Sequence, residues 1–353
     1  MVVPLYQKIS EDLKDQILTH KIEVGEKLPT ELELSETYHV SRITAKRALN
    51  ELEQIGLVSR TRGKGSFVKK NSEKKTLSQT TKQILFILPF GESTFGDFTV
   101  GLIPYVKQFG YTVFITNGDY LRETPVKTIA ETFDGLVFYP LNTDEFLDAL
   151  FELSTIKFPV VLLDKKIYGL DFPCVMSDNK AGGFLATQAL IDAGHTRIGF
   201  IMSDEIHHPQ TTRNRYLGYI DALNHSSIDF HTPYNDPASN ARVIVDYVKT
   251  SGLTGMICEN DLIALGLMTE LQNAGFHIPN DLSIVGFDDI QAAGLSNPPL
   301  TTIAQDFNRI GAEAGRVLMT WIETGVIPDD TYISVQLMMR QSTSSITTNT
   351  TLK

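Results

Sequence analysis

Two polar clusters, each directly behind an apolar run, hold the residues best suited to chemistry. Residues 255–258 read GMIC and lead into Glu259-Asn260-Asp261; residues 283–287 read SIVGF and lead into Asp288-Asp289. An amide both donates and accepts hydrogen bonds, and a carboxylate accepts from two hydroxyls, so Asn260 and Asp288 suit a polar, uncharged small molecule. No glycine-rich phosphate loop and no nucleophile motif accompanies them. Asp288 and Asp289 make a poor hydrolytic pair, because neighbouring strand residues face opposite sides. The reading is a binding site, not an enzyme. His207-His208 has no third ligand in register, so neither a metal nor another cofactor is expected.

The elements that must position these clusters follow from the spacing. Leu262, Leu265, Leu267, Met268 and Leu271 recur at helical intervals, Gly275 stops the run, and Pro279 lies just beyond. This is strand, helix, strand, with polar groups at the carboxyl ends of both strands, where open parallel sheets bind ligands. The same alternation runs through much of the chain. Apolar runs stand at 84–89, 112–115, 135–139, 159–163 and 198–202, and helical patterns at 180–193, 213–224, 238–250 and 261–274. The expected class is α/β, with doubly wound parallel sheets in a body long enough for two lobes. Asp164 and Lys165 end one apolar run and fit either a strand-end contact or a solvated loop. Phe90 and Tyr139 fit either a wall of the site or the first lobe's core.

The first 70 residues read differently. Leu5, Ile9, Leu13 and Ile17 stand four apart; Thr30-Glu31-Leu32-Glu33 is a capping box; and Ser41 caps a third helix burying Ala45, Ala48, Leu49 and Leu52. Arg42, Ile43, Lys46, Arg47 and Asn50 occupy its other face. Residues 57–68 form a hairpin whose Gly63-Lys64-Gly65 turn lets backbone approach a phosphate. Arg42, Thr44 and Lys46 suit base edges and phosphates in a major groove, and Arg62, Gly63 and Lys64 suit the minor groove or backbone.

Charge agrees with that division. The 353-residue chain carries a formal net charge of -11, yet residues 42–75 hold ten Lys or Arg against Glu51, Glu53 and Glu73. Cys174 and Cys258 sit in apolar contexts and are expected as buried thiols in a reducing cytoplasm. No run approaches membrane-spanning length and the first residues are too charged for a signal peptide, so a cytoplasmic protein without membrane contact is expected.

Two resemblances add to this reading. Asn260-Asp261, Val285 to Asp289, Pro298 to Ile303 and Gln305 closely resemble the effector domain of lac-repressor-type (LacI) regulators. That resemblance extends from about residue 83 to 342, through Gly194-His195, Arg215 to Tyr219 and Leu337 to Ser342. Residues 4–70 resemble the winged helix-turn-helix of GntR-type regulators through Leu28 to Glu31, Val40 to Thr44, Ala48-Leu49, Gly56 to Val58 and Gly63 to Val68. The pair implies a winged helix-turn-helix at 1–70, a linker at 71–82, a two-lobed periplasmic-binding-protein-like body at 83–345, and a tail at 346–353. The head would meet DNA through Glu31, Ser41, Arg42, Thr44, Lys46, Arg47, Arg62, Gly63 and Lys64. The body would hold its effector with Arg215, whose fork can clamp two hydroxyls, together with Asn260, Asp288, Gln305, Phe307, Asp164, Lys165, Tyr139 and Phe90. A head and body joined this way resemble the arabinose-type GntR/LacI hybrid repressors. The expected protein is a homodimeric repressor on a pseudo-palindromic double-stranded operator, released by a small sugar.

Overall fold

The computed structural model describes residues 5–18, 21–23, 25–54, 57–61, 65–68, 80–89, 97–141, 145–202, 209–229 and 241–346. Arg62, Gly63, Lys64, Phe90 and His207-His208, all singled out above, lie outside these residues, as does most of the segment read as a linker. The chain divides near Thr80 into two compact units.

The first unit contains α1 (Leu5–Leu18), α2 (Glu31–Thr37) and α3 (Arg42–Gln54), then the antiparallel pair β1 (Val58–Thr61) and β2 (Gly65–Val68). Local chemistry sets each boundary. The Thr30 hydroxyl accepts from the Glu33 N–H at 3.3 Å while the Glu33 carboxylate accepts from the Thr30 N–H at 2.7 Å. This capping box satisfies donors that the first turn of α2 leaves unpaired. Ile9, Leu13 and Ile17 close on Leu28, Leu34, Ala45, Ala48, Leu49, Leu52, Val58 and Val68 as one core. Leu5, at the first position of α1, stays exposed.

The second unit has two lobes. In chain order its elements are β3 (Gln83–Ile87), α4 (Thr99–Lys107), β4 (Thr112–Thr116), α5 (Asp119–Glu123), α6 (Val126–Thr132), β5 (Gly135–Phe138), α7 (Leu147–Thr155), β6 (Val160–Leu163), β7 (Cys174–Ser177), α8 (Asn179–Asp192), β8 (Ile198–Ile201), α9 (Gln210–His225), α10 (Ala241–Ser251), β9 (Gly255–Cys258), α11 (Asp261–Asn273), β10 (Ser283–Asp288), α12 (Gln291–Leu295), β11 (Thr301–Ala304), α13 (Phe307–Thr324), β12 (Thr331–Ile333) and β13 (Gln336–Met338). One sheet has the order β12-β7-β6-β5-β3-β4 and the other β13-β11-β10-β9-β8; every pairing is parallel except β11 with β13. Strands β5, β6, β7, β8 and β9 are buried along their whole length, as parallel strands covered on both faces must be.

Four of these strands, β7, β11, β12 and β13, are not among the apolar runs named above. Two of them are only three residues long with polar neighbours, and β11 begins with two threonines whose buried hydroxyls pair internally. The chain crosses between sheets three times: from β7 into α8, from β11 into α13, and from β12 to β13.

Glycines set one close approach that matters for the site. A Cβ on Gly183 of α8 would lie 2.0 Å from the Arg215 carbonyl oxygen, and one on Gly218 of α9 would lie 2.1 Å from that of Lys180. Only hydrogen fits at either place, so α8 and α9 touch backbone to backbone and Arg215 is carried against the start of α8.

Candidate functional site

Strands β5, β6 and β7 of the first lobe and β9, β10 and β11 of the second are followed at their carboxyl ends by the polar residues of the candidate site. The backbone there is unusual. Asp164, just after β6, has φ 64°, and Asp288 and Asp289 have φ 119° and 56°. Left-handed backbone is costly for residues with a Cβ and clusters where a chain must aim a side chain.

Arg215 is the centre of the second lobe's contribution. Buried at 7 % exposure, it donates from Nε to Asn179 Oδ1 at 2.7 Å and from Nη1 to the Glu259 carbonyl; Nη2 lies 3.4 Å from Asp288 Oδ1. Its guanidinium carbon sits 3.7 Å from the centre of the Phe287 ring. Gln305 donates from Nε2 to Asp288 Oδ1 at 2.7 Å, which leaves its buried Oε1 without a partner among the described residues. From the first lobe, the Tyr139 hydroxyl donates to Asp164 Oδ2 at 3.2 Å. Lys165 Nζ is held by the carbonyls of Pro140 and Leu141 at 3.4 and 3.3 Å, 3.9 Å from Asp164.

The two half-sites act on each other electrostatically. Burial, then the charges of Asp164 and Asp288, push the Tyr139 phenol well above its ordinary range. Burial pushes Asp288 up to about 7 against the pull of Arg215, with Asp261 and Asp164 adding to the rise and the Gln305 hydrogen bond opposing it. Asp261 is raised to about 6, again chiefly by burial. The raised folded value fixes the sign of the linkage. A carboxyl that binds its proton more tightly when folded contributes stability that is full in acid and is lost as pH climbs toward the folded value. The thermal midpoint of the native chain is therefore expected to fall between about pH 5 and pH 7, and Asp288→Asn to flatten that fall. Equal slopes for the two proteins would show that Asp288 does not titrate there.

Other assigned residues take different places. Asn260 caps α11, accepting from the Ile263 N–H at 2.9 Å, and its Nδ2 points to Glu259 Oε1 at 3.4 Å. Its oxygen is thus already committed to the helix. Asp261 is wholly buried, accepting from the Ile290 N–H at 2.9 Å and the Thr302 hydroxyl at 2.6 Å. Asp289 turns away from Asp288 and pairs with Arg340 at 2.6 Å, so the two acids do not flank one bond. Phe307 meets Phe98 edge-on, ring centres 5.3 Å apart, and Phe98 in turn packs 5.6 Å from Tyr139. His195 is a structural tie, bridging Thr254 Oγ1 and the Ser344 carbonyl, both at 3.0 Å. Cys174 and Cys258 are buried free thiols.

Asn179, Ser177 and Gln210 are not singled out above, and Glu259 is marked there only as a member of its polar cluster. Asn179 orients Arg215, while Glu259 Oε2, Ser177 Oγ and Gln210 Oε1 are buried without a hydrogen-bond partner among the described residues. Ser177-Asp178-Asn179 follows an apolar run just as the two clusters above do, which is the signal that would have found it.

In the first unit, Arg42, Ile43 and Lys46 stand exposed on α3, with Ile43 at 81 %. Ser41 Oγ accepts from the Thr44 N–H at 3.2 Å and lies 2.9 Å from its hydroxyl, so both side chains serve the helix start. Arg47 lies over the Tyr6 ring at 3.9 Å, held toward α1. Glu31 is half-buried at the first position of α2.

A three-helix head with a short hairpin, joined in one chain to a two-lobed α/β body with polar groups at its strand ends, defines a ligand-controlled transcriptional regulator. Known proteins make the class specific. Residues 5–68 match the gntR family of bacterial regulatory proteins, and residues 187–343 match the periplasmic binding protein-like domain. The chain is 28 % identical to the arabinose metabolism transcriptional repressor of Geobacillus stearothermophilus, over 98 % of this chain and 99 % of that one. It is 30 % identical to the ribose operon repressor of Haemophilus influenzae, over 75 % and 82 % of the respective chains. The crystal structure of a LacI family regulator from Enterococcus faecium with bound ribose is similar at 25 % identity and a TM-score of 0.63, covering 75 % of this chain and 99 % of that one. The chain belongs to the GntR/LacI family of transcriptional repressors. Among the described residues, no helix is long and apolar enough to cross a membrane.

Proposed function

We propose that this repressor controls genes of carbohydrate use and leaves its operator when a small sugar binds between the lobes of its body. The observation that carries the reading is the junction of Asp288 and Gln305, at strand ends of one lobe and joined there by Arg215 from α9, with Tyr139 and Asp164 at strand ends of the other. A sugar hydroxyl both donates and accepts, so it can join a carboxylate on one lobe to a guanidinium or phenol on the other. The three crossings between the sheets would act as the hinge. We take the DNA-reading form to be a homodimer, because two heads related by a two-fold axis read a pseudo-palindrome, and closing the lobes would change the placement of the heads. To swing occupancy from 1:99 to 99:1, the sugar must favour one form by about 5.5 kcal/mol. Names of relatives point first to a pentose, arabinose or ribose.

The test is a thermal-shift screen of the full chain against pentoses, hexoses and disaccharides. A ligand at a hundred times its dissociation constant adds about 2.7 kcal/mol to folding, visible as a raised midpoint. At least one sugar is expected to give that rise and to release operator DNA. Silence from every sugar, in a preparation that still binds its operator, would remove the sugar from the proposal and leave the DNA-binding role standing.

A further inference from the structure

Resting on that reading of the cleft, we infer that the effector is an uncharged, unphosphorylated polyol whose hydroxyl hydrogens are taken up by acceptors the protein leaves open.

The cations are already engaged. Arg215 directs three nitrogens to Asn179, the Glu259 carbonyl and Asp288. Lys165, at 8 % exposure, gives its ammonium to two carbonyls and lies beside Asp164. Lys166 is paired with Asp330, and Arg340 with Asp289. The helix starts nearby are also occupied. Asp178 caps α8, Asn260 caps α11, and Asp306 accepts from the Arg309 N–H at the first turn of α13.

The acceptors are in surplus. Glu259 is 5 % exposed, and its Oε2 has no partner among the described residues; the same holds for the acceptors Gln305 Oε1 and Gln210 Oε1. Each follows the carboxyl end of a strand or opens the helix behind one. An unpartnered buried carboxylate oxygen needs a donor, because burial removes its water without replacing it. Hydroxyl groups supply such donors and carry no charge.

A phosphate supplies the opposite. At pH 7 it brings a charge of about −1.5 to −2 and only acceptor oxygens. It would enter beside the acids Asp164, Glu259 and Asp288, with the nitrogens of Arg215 and Lys165 already hydrogen-bonded. The exposed Arg213 and Arg309 and the start of α9, which has no side-chain cap, are what a phosphate would have to recruit instead.

The experiment compares each sugar that raises the thermal midpoint with its own 5- or 6-phosphate, by calorimetric titration into the full chain. The free sugar is expected to bind about 100-fold or more tightly than its phosphate, the scale of an unpaired charge in a desolvated site. Glu259→Gln, which turns half the open acceptor into a donor, is expected to weaken the free sugar about tenfold or more, a loss of at least one buried charged hydrogen bond. A phosphate that binds as well as the free sugar overturns the inference while the sugar-sensing function stands. Native affinity in Glu259→Gln also overturns it, since Oε2 would then need no donor from the ligand. If neither sugars nor their phosphates bind, the sugar-sensing reading falls as well. The comparison of sugar with phosphate uses the native protein, so it holds even if the variant fails to fold.

Discussion

In an Arg215→Ala variant, effector-dependent release from operator DNA is expected to be lost, and the body to become about 3–5 kcal/mol less stable. Both effects have one cause. The guanidinium lies against the Phe287 ring and ties together Asn179, the Glu259 carbonyl and Asp288. Its removal strands a buried carboxylate and opens the seam between α8 and α9. Asp288 would respond by holding its proton still more tightly, since the charge that lowers its pKa is gone. Chemical denaturation of the body measures the first effect, and operator release with increasing sugar measures the second. Arg215→Lys separates the two. A lysine keeps the charge but not the planar fork, so the variant should fold and yet respond to sugar at least tenfold more weakly, because it cannot make two directed bonds at once. A native response in Arg215→Lys would remove the arginine from the effector site and leave it as a structural tie.

Arg42→Ala is expected to cost about 1–3 kcal/mol on operator DNA and to relax selection at one base position, leaving the sugar-induced rise in thermal midpoint unchanged. Arg42 opens α3, its side chain is exposed, and the paired hydroxyls of Ser41 and Thr44 fix the turn that carries it. Selection from random duplexes followed by titration at several salt concentrations is the measurement. Equal weakening on every duplex, with the salt slope reduced by about 1, would reassign Arg42 to a phosphate. Arg47 is expected to matter less for base choice, because its guanidinium is already stacked on Tyr6.

These two residues differ in how they could be found. Arg42 needs only its own helix: a cap at Ser41, apolar residues at helical spacing behind it, and cations on the free face. The same holds for the strand, helix and strand of β9, α11 and β10, whose boundaries follow from an apolar run, an N-cap at Asn260 and the Gly275 stop. Asn260 shows the limit of that logic. As a strand-end amide it fits a ligand; as the residue before a helix it fits a cap, and its carbonyl oxygen is occupied by the Ile263 N–H. Periodicity cannot choose between two uses of one atom.

Sequence by itself determined the two-part build, the head's three helices, the parallel character of the body and the strand-end positions of Asp164 and Asp288, whereas Arg215 and Gln305 entered the candidate site through the resemblance alone. It did so because caps, breakers and apolar spacing act between residues three or four apart, or along one strand. Tertiary structure alone decided which charges meet. It brought Asn179 to Arg215 through a contact that only Gly183 and Gly218 permit, raised Asp288 by burial, and left Glu259 Oε2 without a donor among the described residues. Charge pairing and burial depend on distance through space between elements far apart in the chain, and no local pattern carries that information.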